Sequence, residues 1–329
     1  MIKGEYTLNR KGLSIGLILL LIGTSIPITA QWTENSSLPA SRGIWFYVGG
    51  SGPGNYTRIQ DAINVSSDGD TVFVYSGHYV GGVIVNRSIS LIGENKHTTI
   101  IDANKIFHLN VVYITSDNVK VNGFTVGNNN VSAGIYVSAD DNIISGNLLN
   151  YNENYLGIIL RGDNNLITNN ELSMGSGSGV GIGLKNCYNN TVQNNIINGY
   201  LFGIKIEDCS LGYSNSIIEN TIIGSGYYGV IFAQHCRNQN ISHNNIYNSS
   251  RNGIYMDDFQ CYDNRFYHNT ITGCTNSGIY IDCPYYEGNS GNNTAMGNNI
   301  SNNQYGIYIE GFHYTITGNN MSNNQYGIH

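Results

Sequence analysis

Two rows of side chains, read at fixed offsets from a recurring glycine, hold most of the chemistry open to this chain. Two residues after Gly253, Gly278 and Gly306 stand Tyr255, Tyr280 and Tyr308. Four residues after the same glycines stand Asp257, Asp282 and Glu310. A tyrosine offers an apolar ring and a hydroxyl, and a carboxylate accepts from sugar hydroxyls, so these six residues are candidates for carbohydrate binding. A solvated strand face, with aromatic side chains merely supporting strand pairing, gives the same pattern without a ligand. Cleaving a glycosidic bond needs two carboxylates at a set separation, which makes Asp257, Asp258 and Asp282 weak catalytic candidates. Arg161 and Lys185 fall on earlier repeats, and Arg161, four coils before Asp257, is too far from these acids to cooperate. Crowded acids also call for protonation or for a hard cation such as calcium.

Two further sets stand in register. Glu219, His243 and His268 each directly precede a recurring asparagine-centred mark, and a column of one carboxylate and two imidazoles is a weak candidate site for copper or zinc. Cys187 and Cys209 both lie six residues after their glycine, and Cys236 and Cys261 lie seven and eight after theirs. In an oxidising compartment Cys187–Cys209 and Cys236–Cys261 are candidate disulfides between adjacent repeats. Small, buried, reduced thiols are the alternative. Cys274 and Cys283 are left unassigned.

These offsets matter only if a repeating element carries them. The glycine recurs from Gly134 to Gly327 at intervals of 21 to 28 residues, each time followed by Ile or Val. About midway runs a second mark, Asn-x-Ile/Leu/Met, at Asn147, Asn170, Asn194, Asn220, Asn244, Asn269, Asn298 and Asn319. Apolar residues alternate inside each unit, as at Ile254 and Met256 or Ile279 and Ile281, which is the period of a strand. Asn, Gly and Ser punctuate the strands as turns. Three short strands per unit, stacked in parallel, predict an all-β fold: a right-handed parallel β-helix with coils of about 22 to 28 residues. A leucine-rich repeat would need a Leu scaffold that these units lack. Stacked Asn amides both donate and accept, so the Asn row predicts a hydrogen-bonded ladder. Ile59, Ala62 and Ile63 at helical spacing predict a short capping helix within residues 56–65.

Composition agrees. The 329 residues include 50 Asn, 41 Gly and 25 Tyr but only 11% charged residues, with a net charge of −7. Asn and Gly disfavour helices, and an acidic balance disfavours nucleic acid as a partner. Lys3, Arg10 and Lys11 before an apolar run ending near Ala30 predict a signal peptide over 1–30, hence a secreted or cell-surface protein. A membrane partner follows only if that segment stays uncleaved. The chain then divides into a linker at 31–43, a cap with irregular first coils at 44–130, and regular repeats at 131–329. No C-terminal cap is visible, which allows end-to-end association through that end.

The stretches Gly54 to Ile63, Gly69 to Val74, Ser88 to Glu94 and Thr99 to Asp102 resemble the opening of archaeal secreted right-handed β-helix proteins. The Asn-Asn-x-Tyr-Gly-Ile units at 302–307 and 323–328 resemble the repeats of the NosD and pectate-lyase-like type. The resemblance spans nearly everything after residue 44. It implies a pectate-lyase-like β-helix outside the cell, with glycans of polysaccharides or glycoproteins as partners, or a copper accessory role. Its enzyme alternative is a polysaccharide lyase or hydrolase. No shared catalytic motif falls on residues here, and the Gly-His-Gly and Arg-Ile-Lys of pectin hydrolases are absent.

Overall fold

A computed structural model describes residues 43–329, apart from 104–109, 128–132, 152–155, 176–177, 210–213, 258–259 and 284–290. The signal-peptide and linker expectations lie outside the described residues. Helix α1, Ile59–Val65, packs Ile59, Ala62 and Ile63 into the first coils and is the expected cap. Its end is closed by the Ser66 amide, which donates to the Ala62 and Ile63 carbonyls. The adjoining loop is held by Asp70, whose carboxylate accepts from the backbone amides of Ile44 at 2.7 Å and Ser67 at 2.8 Å. Among the described residues no helix is long and apolar enough to cross a membrane.

Everything else is strand and corner. Three sheets of twelve, eleven and eleven strands run the length of the molecule, and every pairing joins strands of successive coils in parallel. One coil reads Ile143–Ser145, Leu148–Tyr151 and Leu156–Leu160, one strand per sheet, before Leu166–Thr168 returns to the first sheet. The fold is therefore the expected β-helix. Inward residues stack on their own kind, as Ile182, Ile204, Val230, Ile254, Ile279 and Ile307 do, all fully buried. The third sheet, from Val83–Val85 to Tyr326–Ile328, has the longest strands, up to seven residues. It carries the tyrosine and acid rows.

The recurring glycine has a steric cause. A Cβ on Gly181, Gly203, Gly229 or Gly253 would lie 2.6 Å from the carbonyl oxygen of the glycine one coil on. It would also meet the Cγ2 of an isoleucine across the core at 2.3–2.5 Å. No side chain fits there, so the position is fixed by close backbone approach.

The Asn ladder is present with one correction. Its rungs are Asn147, Asn170, Asn195, Asn220, Asn244, Asn269, Asn298 and Asn319, so Asn195 replaces the expected Asn194. The strand register sets Glu171 beside Ile196, which aligns Asn170 with Asn195 and leaves Asn194 in the slot before it, at φ 54°. A second ladder, unread in the sequence, runs Asn142, Asn165, Asn190, Asn215, Gln239, Asn264 and Asn293 at the next corner. Each rung is almost wholly buried and its oxygen accepts from the backbone amide of the rung before.

Asn220 shows what one rung does. Its Nδ2 donates to the carbonyls of Val192 and Ile218 and to Asn244 Oδ1, while its Oδ1 accepts from both nitrogens of Asn195. Deleting the amide strands several buried partners, each worth about 1–3 kcal/mol when left unsatisfied. Asn220→Ala is expected to lower unfolding free energy by about 3 kcal/mol or more in urea titration. A loss under about 1 kcal/mol would mean that water or a corner shift replaces the rung.

Candidate functional site

The outer face of the third sheet brings together the expected carbohydrate-binding residues. Register pairs Tyr255 with Tyr280 and Tyr280 with Tyr308, and likewise Asp257 with Asp282 and Asp282 with Glu310. The rings form one pile. Phe202 and Tyr228 stack at 5.9 Å, Tyr228 and Tyr255 at 4.1 Å, Tyr255 and Tyr280 at 5.1 Å, and Tyr280 and Tyr308 at 4.9 Å. The planes of the last three pairs lie within 21° of parallel.

That geometry changes what the tyrosines offer. An open ring would offer a sugar its apolar face, but the faces of Tyr255 and Tyr280 are covered by neighbouring tyrosines. What meets solvent is ring edge and hydroxyl beside a row of carboxylates. The Tyr255 hydroxyl donates to Asp257 and the Tyr308 hydroxyl to Glu310. Burial, then the hydrogen bond to Asp257, pushes the Tyr255 phenol far up, and burial beside Asp282 and Glu310 pushes Tyr280 up to about 12. The phenols are donors at any physiological pH. Asp282, between two carboxylates, is raised above its ordinary value, first by burial and then by Asp257 and Glu310.

Farther toward the N-terminus the face changes sign. Lys185 and Lys205 both bind Glu207, the latter at 2.6 Å, and together they lower its carboxyl against the opposing effect of burial. Arg161 is exposed on the coil before Lys185. The acids and Arg161 are thus as separate as expected. Asp258 lies outside the described residues.

The Glu219, His243 and His268 column is present in register. All three sit at left-handed corners, φ 57°, 57° and 52°, in the slot that Asn169 and Asn194 fill on earlier coils. Glu219 accepts from Gln193 at 3.0 Å, and the His243 and His268 rings stand 5.3 Å apart. Among the described residues no group of three or more His, Cys, Asp or Glu could hold a metal.

The cysteines form the expected column without the expected bonds. All six are buried and none is in a disulfide, so neither Cys187–Cys209 nor Cys236–Cys261 is bonded in the structure. Register nonetheless makes neighbours of them: Lys185 pairs with Glu207 two residues earlier, and the Cys236 amide donates to Cys261 Sγ at 3.4 Å. The thiols of Cys209 and Cys236 reach backbone carbonyls, Glu207 at 3.3 Å and Gln234 at 3.1 Å. They fill the core as small hydrophobes with a weak donor. Burial raises Cys274 to about 11, so that thiol stays protonated.

A parallel β-helix built on a near-24-residue repeat defines the class. A model of the right handed beta helix region matches residues 211–329, and a model described as periplasmic copper-binding protein (NosD) matches residues 55–244. The second covers more than half of the chain, and the protein belongs to the NosD family. No curated protein matches it. Among solved structures it is similar to the A-module of a mannuronan C-5 epimerase from Azotobacter vinelandii, at 16% identity over 82% of this chain and 91% of that one, TM-score 0.58. A PL6 alginate lyase in complex with a trisaccharide shares 14% identity over 88% and 81%, TM-score 0.60. The pectate lyase Pel9A shares 15% over 86% and 79%, TM-score 0.51. At such identities the likeness carries the fold alone.

The family description implies copper. The softest donors here, the six thiols, are sealed in the core, and the two neighbouring imidazoles lack a third ligand among the described residues. The described residues do not fit a bound copper ion.

The crowded acids give a pH test. Asp282 has a folded value above its unfolded one, so the native state holds the proton longer and stability falls as pH rises through that window. Asp282→Asn is expected to raise stability at pH 7 by about 0.5 kcal/mol, reduced by solvent screening, with the gain vanishing below the ordinary carboxylate range. A gain equal at pH 3 and pH 7 would assign it to something other than charge.

Proposed function

We propose that this protein is an exported, surface-exposed glycan-binding β-helix, and that the outer face of its third sheet is the binding face. The observation that carries the reading is the unbroken pile from Tyr228 to Tyr308, flanked by Asp257, Asp282 and Glu310. Phenol edges and carboxylates at one-coil intervals form a row of hydrogen-bonding groups on an apolar spine, which suits hydroxyl-rich chains. The acids repel an anionic chain, so this face selects neutral polysaccharide. The predicted signal peptide and the periplasmic description of the family support export. The epimerase and alginate lyase of similar fold are named for work on polysaccharides, which supports a glycan partner in general.

Affinity electrophoresis in gels cast with neutral polysaccharides tests the reading. The wild type should be retarded, and Tyr280→Ala should weaken binding about tenfold, by removing a hydroxyl donor and breaking the pile that orders its neighbours. Equal retardation of both proteins would remove the face from the binding function. Assaying the same mixtures for new reducing ends or unsaturated products separates binding from turnover: sustained product formation lost in Asp257→Asn would replace this reading with a lyase or hydrolase.

A further inference from the structure

The N-terminal end carries a second constellation, built by the cap and independent of the repeat. A cavity of about 470 Å³ lies between the start of α1, the Gly49–Gly50 turn and the strand Gly77–Val80. That volume is within the range of about 300–1,000 Å³ usual for small-molecule sites. Its rim is rigid. Gly49 and Gly50 sit at φ 74° and 65°, wedged so tightly that a Cβ would lie 2.1 Å from the Tyr79 hydroxyl and 2.8 Å from the Tyr75 ring, respectively. Tyr79 in turn donates to the Tyr75 carbonyl at 2.8 Å.

The lining has uncommitted polar groups. Arg58 is exposed, and its side chain makes no hydrogen bond or ion pair to any described residue. His78 is anchored through Nε2, 3.1 Å from Asp102, which leaves Nδ1 without a partner among the described residues. The strand Gly77–Val80 is the terminal strand of its sheet. The amides of Gly77 and Gly81 donate to Thr98 and Asp102 in the next strand, so by alternation the backbone groups of His78 and Val80 face outward over the rim.

Beside the cavity is a half-exposed aromatic surface. Trp45 is 51% and Tyr47 39% exposed. With Phe73 and Tyr75 they form a cluster of mostly tilted and edge contacts, 5.2 to 6.3 Å between centroids. Tyr47 stacks on Tyr75 at 6.1 Å, and Tyr75 abuts the Gly50 rim, so the cluster runs to the cavity mouth.

We infer that this cavity and its aromatic approach form a binding site for a uronate, a carboxylate-bearing sugar of an anionic polysaccharide. A planar guanidinium grips a carboxylate through two parallel hydrogen bonds. The imidazole nitrogen and the outward backbone groups of the edge strand bind hydroxyls, and the half-exposed Trp45 and Tyr47 rings take the apolar parts of the following sugars. The site is distinct from the acidic face: the Tyr255 strand lies seven strands beyond Val83–Val85 in its sheet, roughly 34 Å at strand spacing. A bare edge strand also accepts extended peptide. The half-exposed aromatic approach and the short four-residue edge favour the sugar.

Isothermal titration with an oligogalacturonate, its carboxyl-reduced neutral counterpart and hexaglutamate decides among them. The oligogalacturonate should bind, more weakly at high salt. The neutral oligosaccharide should bind at least about tenfold more weakly, the loss of one charge-assisted pair. Arg58→Gln and Trp45→Ala, both at exposed positions, should each lose about tenfold while keeping the wild-type melting temperature. Tyr280→Ala should bind the oligogalacturonate unchanged, which separates failure here from failure of the third-sheet face. Equal binding by Arg58→Gln, equal affinity for the neutral oligosaccharide, equal affinity for hexaglutamate, or no binding by the wild type would each overturn the inference.

Discussion

The structure rests on in-register stacking of coils one strand spacing apart. Once each residue must lie over its counterpart one coil away, side chains have to be chosen by column. Inward columns become Ile and Val because identical branched side chains interdigitate. Buried corners cannot be apolar, since their backbone amides turn inward and need acceptors. Asn answers that demand along two ladders, with Gln239 as the one longer rung. Gly answers the opposite demand where facing backbones leave no room for a Cβ.

The same constraint shapes the chemistry. Stacking turned three tyrosines from three ring faces into one pile of edges, and three acids into a row whose middle member resists ionisation. It placed Glu219, His243 and His268 in line because a left-handed corner repeats. It lined up the cysteines in the core, where their thiols meet carbonyls instead of closing into bonds. A column therefore reports register first, and function only when the column's geometry leaves groups free.

Periodic features were legible in the sequence, and aperiodic ones were not. The coil length, strand pattern, capping helix and first ladder all follow from spacing, with Asn195 mistaken for Asn194 because two adjacent asparagines fit the same mark. The second ladder was hidden by Asn-rich corners and by the switch to Gln239. The covered faces of Tyr255 and Tyr280 need ring orientation, which spacing does not contain. The N-terminal cavity was invisible for a deeper reason. Arg58, the paired glycines and the edge at His78 come from three unrelated segments that only the cap brings together.

The ladders also have a direction. Every rung's side-chain oxygen accepts from the coil before it, and its own backbone amide donates to the rung after it. The side-chain oxygens thus look toward the N-terminal end and the rung amides toward the C-terminal end, coil after coil. A cut at any coil would expose oxygens on one surface and N–H groups on the other. Two such molecules related by a two-fold axis would set donors against donors or acceptors against acceptors. For the ladder groups a head-to-tail arrangement matches unlike surfaces, so the ladders are polar in the sense that a heterologous assembly is polar.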